Sequence, residues 1–463
     1  MKSSISTAPK GLALLAMLGP SFIWVAEYIG SGEVILATRT GAILGTTVIW
    51  AVVIGIFLKF WIGLSGARYT VATGEGMIDL FARMPGPKNW AVWLVLVAQF
   101  ITATIAIGSL ASAAGIFVNE LFPLTSYSGG WIITILALIM VWSGQFNKLK
   151  IMMSLFILVI VVGVGYVAIH TFPGLEKVLE GLMLKIPSVP EWASHKGASA
   201  NPWEEILPLL GWGAGGFASQ VWYSYWVLGA GYGAARGKKY GESADLTELK
   251  NYNLSDAQKI KGWFKVVYTD ASLGMIIGIL VTTGFLIAGA TILNPRELAP
   301  EGANAAITLS HIFSQKWGEF GATVFITGAA IALLATQVGQ MAGWPRLLAD
   351  TFRICIPSFN RKLSWKWQFR SFLLFFFAAN MIIVYTLGIK PVFLVKMSAI
   401  LDGLLLTPLQ AIWVGLGLFL IMPKLYKPEV AKELRPHWIF AAGLIIAFLV
   451  FGYFCVFQIP KII

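Results

Sequence analysis

The sequence predicts an all-α integral membrane protein of eleven transmembrane helices, arranged as two inverted repeats of five with one further helix after them. Three observations predict it. The 463-residue chain is 57% hydrophobic and only 12% charged, with a mean hydropathy of +0.76, too apolar for a water-exposed surface of that length. Apolar runs near the roughly 20 residues needed to cross a bilayer follow one another along the chain. Two of these runs, the first and the sixth, are interrupted by glycine clusters at corresponding places in the two halves, a pattern that marks inverted repeats with discontinuous helices.

The runs lie at about 11–38, 44–67, 90–118, 130–145, 150–171, 204–234, 264–292, 318–346, 369–388, 391–421 and 437–459. The fourth is short and polar at its end. The whole of 1–463 then forms a single membrane domain, with repeat one at about 11–171, repeat two at about 204–421 and the extra helix at about 437–459. A loop of about 171–203 containing Pro173, Pro187, Pro190 and Pro202 joins the halves. Basic residues collect in alternate loops, among them Arg68, Arg83 and Lys88; Lys148 and Lys150; Arg236, Lys238 and Lys239; Arg361, Lys362 and Lys366; and Lys424, Lys427 and Lys432. The loops between carry Glu176, Glu180 and Glu191, then Glu297 and Glu301. Cytoplasmic loops hold the Lys/Arg excess of membrane proteins, which places the N-terminus in the cytoplasm and the C-terminus outside. That distribution accounts for the net charge of +12 without a nucleic-acid partner; the partner it implies is the lipid bilayer.

The first interruption is Glu27-Tyr28-Ile29-Gly30-Ser31-Gly32-Glu33. A charge at membrane depth costs at least about 2.5 kcal/mol, and glycine weakens a helix by roughly 1 kcal/mol relative to alanine. The helix is therefore expected to break near Gly30–Gly32, its freed backbone lining a cavity. The second interruption is Gly211-Trp212-Gly213-Ala214-Gly215-Gly216-Phe217-Ala218-Ser219-Gln220. Together the breaks define a candidate substrate site of Gly30, Glu33, Ala218, Ser219, Gln220 and Tyr223. Glu33 can ligate a cation, accept a coupling proton or hold an amine. Glu33 and Gln220 are the candidate metal ligands, with Ser219 and the carbonyls near Gly30 and Ala218 completing an oxygen shell of the kind hard divalent cations take. Neither break contains the Cys or Met that soft metals prefer.

Glu27, Asp270 and Asp402 are candidates for coupling or gating. Asp402 lies deep enough to be functional by default, with a structural pair to Lys396 as the competing reading. Asp270, at the start of the seventh run, serves as a gate or a cap. Glu75 and Arg68 are expected in a structural network at the end of the second run, and Thr282 and Thr283 are expected to bond back to their own helix. Cys355 and Cys455 are too far apart in the chain to suggest a disulfide, and the four histidines fall in loops or at helix ends. No nucleophile elbow, zinc-protease motif or phosphate-cradling loop is present, so neither catalysis nor a cofactor is expected.

In their order, several short motifs resemble the NRAMP metal-ion transporters, which have the LeuT-type fold. They are Leu18-Gly19-Pro20-Ser21-Phe22, Tyr28-Ile29, Ala67-Arg68-Tyr69, Thr73-Gly74, Leu80, Arg83, Asp270 and Leu333-Leu334-Ala335. The resemblance implies a secondary transporter of divalent metal ions, with Mg²⁺, Mn²⁺ and Fe²⁺ all compatible with it. It departs from the family at the site. Gly30-Ser31-Gly32-Glu33 stands where the family has Asp-Pro-Gly-Asn, and Ala218-Ser219-Gln220 where it has Met-Pro-His. The family's acidic positions in the third helix fall at Thr102 and Ile105, and its glutamine of the tenth at about Ile400. A monomer is expected. The alternatives are a LeuT-fold transporter of a small organic cation or amino acid, given the small residues at both breaks, and a sensor or scaffold that carries nothing.

Overall fold

In a computed structural model, which describes residues 5–122, 124–125, 127–301, 304–388 and 390–462, the first spanning run is broken where the glycines predict. Helix α1, Pro20–Tyr28, opens on a proline whose missing N–H costs a helix start nothing. The chain leaves helical geometry at Ile29 and Gly30, then resumes as a π-helical stretch Ser31–Ala37 that runs into α2, Thr38–Leu44. Next come α3 (Ile49–Thr73), the short α4 (Met77–Ala82), α5 (Trp90–Leu121), α6 (Ser128–Val141) and α7 (Phe146–His170).

The second half repeats the scheme. Helix α8, Trp203–Trp212, stops at the glycine cluster, and α9, Phe217–Ala230, restarts after four non-helical residues. Then follow α10 (Leu254–Ala288), α11 (Ala305–Cys355, kinked at Gly318) and α12 (Trp365–Leu387). Helices α13 (Pro391–Gly403) and α14 (Thr407–Leu416) make up the tenth run, and α15 (Trp438–Tyr453) the last.

Among the described residues, eight of the helical runs are long and apolar enough to cross a membrane. One of them, Pro20–Thr73, holds two crossings, and the shorter Ser128–Val141 with the broken pair α8–α9 completes a layout consistent with eleven. The described residues contain no strand. The exposed side chains of Ile151, Leu155, Leu158 and Val162 on α7 form an apolar stripe at helical spacing, the surface a lipid-facing helix needs because it can bury no polar group there.

Three boundaries differ from the sequence reading. The seventh run starts near 254 rather than 264, because Asn253 and Asp256 cap each other's backbone N–H groups, both at 3.1 Å, and stabilise a polar first turn. The eighth continues past 346 to Cys355, with Arg353 paired to Asp79 and Asp350. The tenth contains a break at Leu404–Leu406 that hydropathy does not show; Pro408 in the first turn of α14 has no N–H to continue the helical ladder back to the Leu404 carbonyl.

Helices α5 and α11 pack along each other and carry α12 and α13. Helices α1, α3, α9 and α10 form a second body in which α3 lies against α8, α9 and α10. The breaks in the first and sixth runs meet between these two groups.

Candidate functional site

The two breaks face each other. Trp212, the last residue of α8, donates its indole N–H to the Tyr28 carbonyl at 3.1 Å, tying the end of one interrupted helix to the other. Gly32 permits that approach, since a Cβ there would fall on the Trp212 ring. Glu33 lies just past the first break. One of its carboxylate oxygens accepts the Gly30 N–H at 2.9 Å, satisfying a donor the break sets free, and the other accepts the Thr282 hydroxyl of α10 at 3.4 Å. Thr282 thus reaches across to Glu33 instead of bonding back to its own helix.

Glu27, one residue from the end of α1, accepts the Ser219 hydroxyl, which in turn accepts the Trp24 indole N–H at 3.0 Å. The second oxygen of the Glu27 carboxylate is buried without a hydrogen-bond partner. Asp402, near the end of α13, accepts the Gln99 amide of α5 at 2.8 Å, and the Gln99 oxygen accepts Trp344 Nε1 at 2.8 Å. The Ala218 backbone N–H also bonds to Asp402, so this carboxylate sits at the amino end of α9, where free N–H groups and the helix dipole favour negative charge. Gly216 admits it; a Cβ there would collide with the carboxylate. The competing reading, a structural pair of Asp402 with Lys396, does not form, because Lys396 bonds Glu205 at 2.7 Å.

The residue that sequence reasoning missed is Lys59. It is fully buried in α3, and its ammonium donates to the carbonyls of Gly211 and Gly215, the latter at 2.7 Å. The charges of Glu33 and Asp402 act on it, and the Phe451 ring lies 5.6 Å away. The signal was present, since a lysine inside a spanning run is a functional candidate by default. Gln99, an isolated amide in the apolar third run, was equally visible.

Glu27, Glu33, Asp402 and Lys59 are 1%, 1%, 2% and 0% exposed. When all are ionised, three carboxylates face one ammonium and two negative charges stay unmatched. Each such charge costs several kcal/mol in a low-dielectric interior, so the set calls for two further positive charges.

The remaining predicted residues fall elsewhere or are already engaged. Gln220 spends its amide on the Ala214 carbonyl at 2.7 Å, and its oxygen is unpartnered. Ala218 lies in the first turn of α9, so its carbonyl is not freed by the break, which corrects the expected shell. Tyr223 is drawn away to Asp270, where its hydroxyl donates at 2.9 Å while its ring stacks on Trp24 at 4.5 Å. Asp270 also accepts Gly19 N at 3.0 Å, Ser21 N at 2.8 Å and Ser21 Oγ at 3.0 Å. It is both cap and latch, fastening the starts of α1 and the body of α9 to α10. Among the described residues no three His, Cys, Asp or Glu side chains converge to hold a metal.

Charged networks close the two ends of the bundle. At the end opposite the basic loops, Arg39 of α2 bonds Glu205 of α8 (3.1 Å), the Pro300 carbonyl (2.6 Å) and Glu301, while Lys396 joins from α13. At the basic-loop end, Arg83 holds Glu75 at 2.8 Å and Arg353 holds Asp79 at 2.8 Å and Asp350 at 3.1 Å. Three carboxylates share two guanidinium groups there, and burial pushes the Asp79 carboxyl up to about 7 against the pull of Arg353. Arg68 stands apart from Glu75, bonding the Leu434 carbonyl at 2.8 Å with its guanidinium 3.8 Å from the Phe264 ring. A cavity of about 780 Å³ opens beside Thr46, His170, Lys177 and Thr291, but none of the four central charges lines it.

The Nramp family, described as natural resistance-associated macrophage protein-like, matches residues 21–204, which include the whole first break. Over that stretch the chain is similar to the Nramp family. It is similar to the divalent metal cation transporter MntH of Yersinia enterocolitica, at 33% identity over 100 residues, 20% of this chain and 24% of that protein. A second MntH, from Yersinia pestis, is 27% identical over 181 residues, 38% of this chain and 43% of the relative. The chain thus spans less than half the length of the curated relatives it matches. A solved manganese transporter of Eremococcus coleocola superposes with a TM-score of 0.69 at 15% identity, over 97% of this chain and 88% of that one. At that identity the likeness shows the fold, which is LeuT-type, and the protein is a multi-pass membrane protein. Thr102, which the resemblance sets at the position of an acidic residue of the Nramp third helix, bonds its hydroxyl back to the Ala98 carbonyl at 3.0 Å.

Proposed function

We propose that this Nramp-like protein is a secondary-active transporter of a divalent metal ion, working by alternating access at the paired breaks. The observation that carries the reading is the charge count. Among the described residues, Glu27, Glu33 and Asp402 are buried around the breaks with Lys59 as the buried cation there, and the shortfall of two positive charges equals one divalent cation or two protons. A cycle in which the cargo replaces two protons keeps the site neutral when loaded and when empty, which avoids burying unmatched charge at any stage. Glu33 supplies charge, and Gln220, Ser219 and the carbonyls of the breaks supply oxygens once the site rearranges around the ion. Hard cations such as Mg²⁺ and Mn²⁺ suit such donors. The Asp270 latch and the Arg39–Glu205 network then act as the closures of the two ends.

The organic-substrate alternative needs room beside the glycines. That room is filled by the Trp212 ring at Gly32 and by the Asp402 carboxylate at Gly216. The same reading places the N-terminus in the cytoplasm, the C-terminus outside, repeats at about 11–171 and 204–421, and a monomer as the working unit.

The test is uptake of radiolabelled Mn²⁺ and of Mg²⁺ into proteoliposomes, with internal pH recorded. Divalent uptake accompanied by proton movement, and lost on Glu33→Gln, supports the proposal. Flux no greater than in protein-free liposomes for both ions overturns it.

A further inference from the structure

The carbonyls of Gly211 and Gly215 bracket the second break. Carbonyls released from a helix at membrane depth need a positive partner, and in transporters with interrupted helices such carbonyls form alkali-cation sites. Here both oxygens point at one atom, the Lys59 ammonium. Its stem comes from α3, a different element, and the side chain is fully buried, with Lys59 0% exposed. The charges of Asp402 on α13 and Glu33 past the first break act on it from beyond ion-pair distance, with Phe451 of α15 nearby. The ammonium therefore has two neutral carbonyl oxygens as direct partners in a negative field, an environment that a small monovalent cation would share.

We propose that Lys59 is a tethered cation occupying an alkali-ion site, and that it makes this protein independent of Na⁺ and K⁺. The inference goes beyond the divalent-metal reading and holds whatever the cargo is. A covalently held ammonium has a very high effective concentration at the carbonyls, so free alkali ions cannot displace it. Removing it leaves the Gly211 and Gly215 oxygens and the nearby carboxylates without their positive partner, and a free cation then fills the place. Lys59 acts by positioning the break; it is not itself a metal ligand.

The experiment measures thermal unfolding of the full-length protein in NaCl, KCl and choline chloride at equal ionic strength. Wild type and Lys59→Arg, which keeps a tethered cation, are expected to unfold at the same temperature in all three salts. Lys59→Met, which keeps the stem and loses the charge, and Lys59→Gln are expected to unfold several degrees higher in NaCl or KCl than in choline chloride, because only a ligand of the folded form raises its stability. Recovery of either variant solely in the presence of Na⁺ or K⁺ supports the proposal equally. Stabilisation of the wild type by an alkali ion overturns it, as do variants recovered equally in all three salts or in none. Binding is read here without transport, so a failure of divalent uptake leaves this result standing, and the reverse.

Discussion

Replacing Asp270 with asparagine should open one end of the bundle while leaving the other shut. The carboxylate accepts four hydrogen bonds, from Gly19 N, Ser21 N, Ser21 Oγ and Tyr223 OH, all between 2.8 and 3.0 Å. Its Oδ1 takes Gly19 N and Ser21 Oγ, and its Oδ2 takes Ser21 N and Tyr223 OH. An asparagine keeps the shape and one acceptor oxygen, but its amide faces donors on the other side, so two contacts are lost. Hydrogen bonds to a charged group contribute about 1.5–3 kcal/mol each, so the closed state should lose about 3–6 kcal/mol. A loss of 3 kcal/mol is a factor of roughly 150 in the open-to-closed ratio. Hydrogen exchange in nanodiscs reads this directly. Amides of residues 19–28 and of α9 should exchange on the order of a hundredfold faster in Asp270→Asn, with α2 and the first turns of α8 unchanged. Unaltered exchange at 19–28 would refute the latch, and equal acceleration everywhere would show that Asp270 supports the whole fold rather than one closure.

Three further outcomes follow from the same geometry. Glu205→Gln at the opposite closure leaves the buried Arg39 guanidinium and Lys396 short of a counter-charge, a loss worth about 3–5 kcal/mol; a thiol placed near Arg39 in a background lacking Cys355 and Cys455 should become accessible to a membrane-impermeant reagent from that side alone. Gly32→Ala drives a methyl group into the Trp212 indole, and overpacking of this kind costs about 1–3 kcal/mol; the unfolding temperature should fall, with partial recovery in the Trp212→Phe background. The Asp79 carboxyl titrates near 7 in the folded protein against about 3.9 when unfolded, so the folded form binds the extra proton between those values. Its contribution to stability is complete below about pH 4, declines as the pH rises, and is gone above about 7. Unfolding temperature should drop from pH 5 to pH 7.5 in the wild type and drop less in Asp79→Asn; equal slopes would refute the assignment.

The class of the fold was legible in the chain because it follows from local quantities. Hydropathy runs long enough for a bilayer, alternate basic loops and glycine clusters at Gly30–Gly32 and Gly211–Gly216 are one-dimensional facts, and the bilayer admits few ways to satisfy their backbone. The breaks themselves stand where the glycines put them, and Glu27, Glu33 and Asp402 were singled out because charge at membrane depth is costly wherever it occurs. Partnership was a different matter. Nothing in the order of residues says that Lys59, 152 positions before Gly211, delivers its ammonium to that carbonyl, or that Gln99 and Asp402 meet across 303 positions. The sequence left a pair of Asp402 with Lys396 open as the competing reading, whereas the fold turns Lys396 toward Glu205. Tyr223 was assigned to the break by proximity in the chain, but one face of α9 carries it to Asp270. The carbonyl of Ala218 looked free until α9 proved to begin at Phe217. What the sequence by itself determined was the membrane class, the interruption of the helices and the buried charges that must be matched. Which charge matches which was decided only by tertiary packing, since hydrogen bonds and ion pairs act over about 3 Å in space with no regard for separation along the chain.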